Sequence, residues 1–167
     1  GGWSCRGGPG RRGPWFRRLG GFTGGRAGYA ERDRWVEVHR QILPFMTAAG
    51  ITPGLEPLNR FEAHLLNTCD QAIAYAQRFS GEGIGILYDT FHANIEEKDP
   101  LAALHALHAT ANLAHFYLAE NDRGMPGSGQ SKLKEKIAAI KALGLDRSPL
   151  TEVSPRCYSD LPPTPRG

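Results

Sequence analysis

The 167-residue sequence contains few cysteines and no long hydrophobic run. Its three cysteines, Cys5, Cys69 and Cys157, are widely separated and form no Cys-x-x-Cys pair, so neither a disulfide framework nor a zinc knuckle is indicated. This cysteine usage favours a reducing cytoplasm. No apolar stretch approaches the roughly 18 residues of a membrane-spanning helix, and no signal-peptide pattern opens the chain. We therefore expect neither a membrane span nor export.

Acidic residues are absent from the first 30 positions, which carry six arginines. The other 14 lysines and arginines are outnumbered by the 17 acidic residues, so the body of the chain is slightly acidic although the whole chain has a formal charge of +3. A nucleic-acid-binding protein is expected to carry a basic face on its folded part. Because the basic excess lies in an end segment, we expect no nucleic acid partner.

The length of the chain is that of one ordinary domain with a real core. Residues 1–28 contain 11 of the 21 glycines, and backbone entropy at that density opposes a stable element. We therefore predict a Gly/Arg-rich irregular segment at 1–28 and a folded domain at 29–160. Residues 161–167, LPPTPRG, are Pro-rich and are predicted to form a disordered tail.

A helix is predicted from Glu31 to Ala49. Apolar residues recur there at the spacing of one helix face, which predicts that this face is buried; they are Trp35, Val38, Ile42, Phe45 and Met46. Pro44 is expected to kink or locally break the helix. Helical histidines such as His39 are expected on solvated faces.

Beyond this helix, short apolar runs alternate with helical patterns. Strands are predicted in ITPGLEPL, GIGILYD, NLAHFYLAE and SPLTEVS, and helices in NTCDQAIAYAQRFS, DPLAALHALHATA and SKLKEKIAAIKALG. Asn67 or Thr68 is the expected N-cap of the first of these helices, and Gly144 is expected to close the last. The alternation predicts an α/β fold with a parallel sheet and right-handed crossovers.

Each predicted strand ends in polar groups, which are Glu56, Asp89, the stretch from His115 to Glu120, and Glu152. Parallel α/β folds bind ligands at the carboxyl ends of their strands, so these groups are expected to converge. Carboxylates with an imidazole make a site for Mn²⁺, Mg²⁺ or Co²⁺, and the cation relieves the repulsion between the acids. On spacing alone, solvated loop acids are an equally good interpretation.

Three motifs in order, LEPLNRFE, YDTFHANIEE and HFYLAENDRGMPGSGQ, resemble the ketose 3-epimerase family, the D-tagatose and D-psicose 3-epimerase-like members of the xylose isomerase-like TIM barrels. The likeness runs from about Glu31 to about Ser159. It implies a partial (β/α)₈ barrel, namely the carboxyl-terminal half with about four strand and helix units. It also implies a metal-dependent isomerase that inverts carbon 3 of a free ketose through an enediolate, with Mn²⁺ as the metal and Co²⁺ or Mg²⁺ as alternatives.

The resemblance assigns the catalytic and metal-binding roles to residues at the strand ends. It makes Glu56 and Glu152 the acid/base pair and metal ligands, with Asp89 as a further ligand. The family's imidazole ligand is the second of two histidines on the third strand. Tyr117 stands at that position in this chain, so His115 is the imidazole that the resemblance leaves as the metal ligand.

Glu62, His92 and Arg123 are the substrate-binding residues that the resemblance implies. From the residues alone, plainer alternatives stay open: Glu62 could pair with Arg60, His92 could cap a helix, and Arg123 could neutralise Asp122.

Other functions remain open on the same residues. An aldose–ketose isomerase of the hydroxypyruvate type uses the same metal and carboxylates, whereas a zinc nuclease needs more imidazole ligands than these strand ends offer. A non-catalytic half-barrel is the third alternative, because four strands leave two sheet edges open. Pairing of such a half-barrel in a homo-oligomer would cover those edges, and poor folding is the other expected outcome.

Overall fold

The computed structural model describes residues 15–19, 29–79, 82–110, 112–145 and 150–151. Its strands are β1 (Trp15–Leu19), β2 (Ile51–Leu55), β3 (Gly85–Asp89), β4 (Leu113–Leu118) and β5 (Leu150–Thr151). Its α-helices are α1 (Tyr29–Ala48), α2 (Cys69–Ala76), α3 (Thr90–Glu96), α4 (Pro100–Ala109) and α5 (Leu133–Ala142), and a 3₁₀ turn at Gln77–Phe79 extends α2.

The five strands form one parallel sheet in the order β1-β2-β3-β4-β5. Strands β2 to β5 are the four that the sequence predicts, and helices lie between successive strands. The predicted parallel α/β fold, a partial barrel, is confirmed. All carboxyl ends of a parallel sheet lie at one edge, so the loops after β2, β3 and β4 meet there.

Strand β1 lies within residues 1–28, which the sequence predicts to be mostly irregular. It pairs with β2 from Trp15 opposite Ile51 to Leu19 opposite Leu55. The prediction averaged glycine over the whole segment, but the five residues WFRRL contain none. The backbone groups along the edge of β2 offer partners to an extended segment, and the local sequence does not show this tertiary edge. The rest of residues 1–28 and the predicted tail at 161–167 lie outside the described residues.

Helix α1 continues through Pro44 and does not break there. Pro44 is exposed, so water can satisfy the carbonyl that its missing N–H leaves without an intrahelical partner. The buried side of the helix is formed by Val36, His39 and Leu43. The predicted face was wrong in part, because Val38 is 43% exposed and Phe45 is 77% exposed.

His39 lies on the buried side of α1, which overturns the expectation of a solvated face. It is 6% exposed and packs between the rings of Trp35, Tyr75 and Phe79. Its Nδ1 atom is 3.0 Å from the Tyr75 hydroxyl oxygen. Burial lowers the pKa of His39 below its usual 6.5 because a charged imidazole loses its hydration there.

The core lies between the sheet and the helices that cover it. Ile86 of β3 contacts the core beside Leu104 and Leu107 of α4, and all three are fully buried. Helix α2 begins at a capping box in which Thr68 accepts from the Gln71 N–H, so Thr68 is the N-cap. None of the helices in the described ranges combines the length and apolar character needed to cross a bilayer.

We expect the free energy of unfolding to fall as the pH is lowered from about 7 to about 5, partly through His39. The folded protein resists protonating this imidazole, whereas the unfolded chain protonates it below pH 6.5, so acid favours unfolding. The variant His39→Gln should show a shallower pH dependence in urea unfolding at these pH values. The exposed His105→Gln serves as the control, and an unchanged slope in His39→Gln would contradict the prediction.

Candidate active site

Two buried carboxylates follow neighbouring strands. Glu56 comes directly after β2, and Asp89 is the last residue of β3. They are only 4% and 2% exposed, and the pairing of Leu55 with Ile86 sets their strands side by side. The topology therefore brings both charges to one sheet edge, as their positions in the sequence predict.

Helix α3 adds an imidazole to these carboxylates. The Asp89 Oδ1 atom caps this helix by accepting from the Phe91 N–H at 2.7 Å, and the first turn of the helix then carries His92 back over the strand end. The His92 Nε2 atom lies 3.6 Å from Asp89 Oδ2 and 3.9 Å from Glu56 Oε1. One potential ligand atom from each of the three residues lies within 4.8 Å of the others.

The donor chemistry of this cluster fits a divalent cation. Glu56 and Asp89 supply hard oxygen donors, which Mn²⁺ and Mg²⁺ prefer. Two carboxylates this close repel each other in a buried site, and a cation between them would remove that cost. The residues present are therefore compatible with the expected metal.

Tyr117 of β4 is paired with Asp89 of β3, and His115 lies two residues further from the carboxyl end of β4. In the β3–β4 register Asp89 pairs with Tyr117 and Leu87 pairs with His115, so Asp89 and Tyr117 share a face of the sheet. The His115 ring meets the Tyr117 ring edge-on, with centroids 5.3 Å apart. Burial lowers the pKa of His115 below its usual 6.5. In the described residues the imidazole that clusters with Glu56 and Asp89 is that of His92, and the metal-ligand role of His115 stays a prediction.

Glu152 lies outside the described residues. Strand β5 ends at Thr151, which pairs with Leu118 of β4. The roles expected for Glu152, as the second acid/base group and as a metal ligand, stay predictions.

The three predicted substrate-binding side chains are brought together beside the carboxylates. Glu62 Oε1 accepts from the Asn59 side-chain amide at 2.9 Å, and Arg123 Nη2 lies 3.9 Å from that oxygen and 3.0 Å from His92 Nε2. The Arg123 guanidinium also stacks over the Phe91 ring at 4.3 Å. With side chains 44% and 19% exposed, Glu62 and Arg123 line the solvent side of the cluster.

The sequence left open that Glu62 pairs with Arg60, but the structure places Glu62 near Arg123. Arg60 instead makes a two-pronged ion pair with Glu96, with nitrogen–oxygen distances of 2.9 and 3.0 Å. Its backbone N–H donates to the same carboxylate at 2.6 Å. This pair ties the loop after β2 to helix α3, and it leaves Glu62 to face Arg123.

A buried carboxylate holds the loop that carries Arg123. Glu120 is 1% exposed and accepts hydrogen bonds from the Gly127 N–H at 2.9 Å, the Ser131 N–H at 3.2 Å and the Ser131 hydroxyl. Burial raises the pKa of Glu120, but these hydrogen bonds outweigh it and hold the pKa below its usual value. A Cβ atom at Gly129 would collide with this carboxylate, so glycine permits the close wrapping of the loop.

The same loop holds Arg123 in an uncommon backbone conformation. Its φ angle is +54°, in the left-handed region that non-glycine residues seldom adopt, and its N–H donates to the Glu120 carbonyl at 3.0 Å. The anchored turn therefore directs the guanidinium toward His92. The sequence indicated Glu120 as a strand-end group but not this supporting role, which depends on contacts up to 11 residues away.

Lys136 of α5 is a buried lysine that interacts electrostatically with Glu120 and Asp89. It is 3% exposed, and its Nζ atom makes no hydrogen bond to the residues that the structure describes. Burial lowers its pKa, while the charges of Glu120 and Asp89 act in the opposite direction. The sequence analysis assigned no role to this residue, because the charged face of an amphipathic helix is usually exposed.

We expect Glu120→Gln to lower the free energy of unfolding by about 1–3 kcal/mol, because a neutral amide cannot accept from all three donors. The amides of Gly127 and Ser131 should exchange with solvent faster, as measured by hydrogen exchange. Glu135→Gln on the exposed side of α5 is the matched control. Unchanged exchange at these two amides would show that Glu120 does not anchor the loop.

Comparison with known proteins identifies the family of the chain. The family model described as xylose isomerase-like TIM barrel matches residues 11–162. An L-ribulose 3-epimerase of Mesorhizobium japonicum is 34% identical over 116 residues, which cover 68% of this chain and 38% of the relative. A D-psicose 3-epimerase of Enterocloster bolteae is 31% identical over 122 residues, which cover 73% and 40%.

Structural comparison gives the same relationship. A solved L-ribulose 3-epimerase superposes with a TM-score of 0.74 and 28% sequence identity, covering 81% of this chain and 45% of the other. The chain thus spans about two-fifths of the length of the curated relatives it matches. The chain has a parallel sheet with carboxylates at the strand ends, and the family model matches almost the whole sequence. The chain therefore belongs to the xylose isomerase-like TIM barrel family.

Proposed function

We propose that this chain takes part in the metal-dependent epimerisation of a free ketose at carbon 3. The observation that carries the proposal is the cluster of Glu56, Asp89 and His92 at the carboxyl ends of adjacent strands. Two relatives, 34% and 31% identical to the chain over the matched residues, are named L-ribulose 3-epimerase and D-psicose 3-epimerase. The substrate would accordingly be a ketose sugar.

Inversion at carbon 3 requires proton transfer on two opposite faces of the substrate. One carboxylate removes the carbon 3 proton, leaving an enediolate, and a carboxylic acid on the other face returns a proton. Glu56 is the candidate on one face, and Glu152 is the candidate on the other. The two groups exchange protonation states during turnover, so no net proton is gained or lost.

Glu56, Asp89 and Glu152 are the proposed metal ligands, with His115 as the proposed imidazole. Mn²⁺ is the proposed ion, and Co²⁺ and Mg²⁺ are the alternatives. When bound, such an ion would supply positive charge that stabilises negative charge on the substrate's oxygens. The other polar side chains then have a separate task, since Glu62, His92 and Arg123 can hold the sugar hydroxyls by hydrogen bonds.

A non-catalytic half-barrel is the second candidate, and one observation favours it. Tyr117 stands beside Asp89, where it offers a phenol instead of an imidazole. Such a protein would bind metal or sugar without turnover. The cytoplasmic location and the homo-oligomer that would cover the sheet edges stay predictions.

Activity is tested by incubating the Mn²⁺-loaded full chain with D-fructose, D-tagatose and L-ribulose and separating the products by chromatography. We expect carbon 3 epimers, and Glu56→Gln should reduce their formation by a factor of about 100 or more, because it removes a proton acceptor. Glu135→Gln, an exposed change of the same kind, should retain activity. Aldose products would indicate the isomerase instead, and metal binding without turnover would indicate the half-barrel.

The variant Tyr117→His should raise Mn²⁺ and Co²⁺ affinity. The register sets residue 117 beside Asp89, and an imidazole there supplies a lone pair that a phenol with a pKa near 10 does not offer at neutral pH. Isothermal titration with each ion measures the change. Tyr117→Phe is the matched control, which removes the phenol hydroxyl without adding a ligand. Equal affinities in wild type and Tyr117→His would contradict the placement of residue 117 at the metal.

A further inference from the structure

Phe91 is the second residue of α3, and its half-buried ring contacts two of the three proposed substrate-binding residues. The guanidinium carbon of Arg123 lies over the ring, 4.3 Å from its centre. The His92 ring meets the Phe91 ring edge-on, with centroids 5.2 Å apart and an angle of 78° between the planes. Phe91 lies within the motif YDTFHANIEE, but the sequence patterns indicate no role for it.

The Phe91 ring has a defined position because its backbone is fixed at the start of α3. The Phe91 N–H donates to Asp89 Oδ1 at 2.7 Å, which is the hydrogen bond that caps the helix. A phenylalanine side chain has two rotatable bonds, so a fixed backbone leaves its ring few positions. The helix therefore presents an aromatic face of defined orientation to the loop after β4.

Arg123 belongs to that loop, and its backbone is anchored there. Its N–H donates to the Glu120 carbonyl at 3.0 Å, with a φ angle of +54°. A long stem separates this anchor from the guanidinium, and an arginine side chain has many rotamers. The backbone anchor by itself therefore does not determine where the charged group lies.

Two polar contacts of the guanidinium involve its Nη2 atom. Glu62 Oε1 is 3.9 Å from Nη2, which is beyond hydrogen-bond distance, and an ion pair with so exposed a carboxylate contributes little. His92 Nε2 lies 3.0 Å from the same atom. Contacts at one nitrogen leave the planar group able to rotate about that nitrogen.

The Phe91 ring adds a contact at the centre of the guanidinium. The 4.3 Å separation is well within the roughly 6 Å range of a cation–π interaction, so the ring restricts the remaining rotation. The N–H donors of a guanidinium lie in its plane, and a ring against one face leaves them available. Two oxygens on adjacent carbons of a ketose can accept from such a fork.

We propose that Phe91 is a positioning residue that holds the Arg123 guanidinium in the orientation in which it binds a ketose. The substrate part of this inference rests on the proposed function. The restraint of Arg123 in the protein without sugar does not, since it follows from the contact between the two side chains.

The variant Phe91→Leu tests the proposal, because it removes the aromatic face and keeps an apolar side chain. Phe91→Tyr retains the face and should restore the wild-type behaviour. Phe45→Leu, the same change at a phenylalanine of α1 that is 77% exposed, is the matched control. NMR of the full chain with nitrogen-15-labelled arginine, without metal or sugar, reports on the Arg123 side chain, whose signal is assigned by its loss in Arg123→Lys.

In wild type, Phe91→Tyr and Phe45→Leu, we expect the Arg123 Hε signal to be shifted upfield by the ring current and its Nε–H bond to be restricted in motion. Phe91→Leu should abolish the upfield shift and lower the order parameter of this bond below about 0.6, the range of flexible groups. A wild-type signal without the upfield shift, or an unchanged order parameter in Phe91→Leu, would overturn the proposal. If Phe91→Leu does not fold, Phe91→Met replaces it with the same expectations.

Sugar measurements on the Mn²⁺-loaded protein distinguish this proposal from the proposed function. Phe91→Leu should raise the KM for L-ribulose or D-tagatose about fivefold, with a smaller change in kcat. In titrations with the same sugar, it should weaken binding about fivefold in the wild-type background and less than about twofold in Arg123→Met.

An equal effect in both backgrounds would show that Phe91 acts independently of the arginine, and it would overturn the proposal. An unchanged KM in a Phe91→Leu protein whose Arg123 has become flexible would do the same. If the wild type neither binds nor converts any of the three ketoses, the proposed function fails. The NMR measurements still decide in that case whether Phe91 holds Arg123.

Discussion

The arrangement of this molecule depends on the repulsion between two carboxylates that the fold buries side by side. Glu56 and Asp89 are almost fully buried at the ends of adjacent parallel strands. Charges in such a place are stable only with compensating charge or hydrogen bonds close by. Groups that meet this constraint include the α3 N-cap at Asp89 and the imidazole of His92, and a divalent cation would add further compensating charge.

A second layer of contacts holds the side chains that surround these charges. The Arg60–Glu96 pair ties the loop after β2 to α3, and Glu120 anchors the loop after β4. Asn59 joins the first of these loops to His92. The loops are therefore held by hydrogen bonds to buried groups, which gives the site a defined geometry although it is built mostly from irregular backbone.

Two features distinguish this chain from what the family resemblance alone implies. A tyrosine stands at the sheet position beside Asp89, and a lysine on α5 is buried within electrostatic range of Asp89. Both would change the charge and ligand balance of the proposed metal site, because a phenol is a poor ligand and a buried ammonium would compete with a cation for the same negative charge.

The sequence by itself determined the alternation of strands and helices, the parallel sheet, and the position of Glu56 and Asp89 at strand ends, because these follow from local periodicity and from the geometry of parallel strands. Only the tertiary structure decided which face of α1 is buried around His39, that β1 joins the sheet, and that His92 lies beside Glu56 of the neighbouring strand end. Local patterns do not contain these outcomes. They depend on edges, rings and charges supplied by residues that are 30 or more positions away in the chain, such as Tyr75 for His39 and Asn59 for His92.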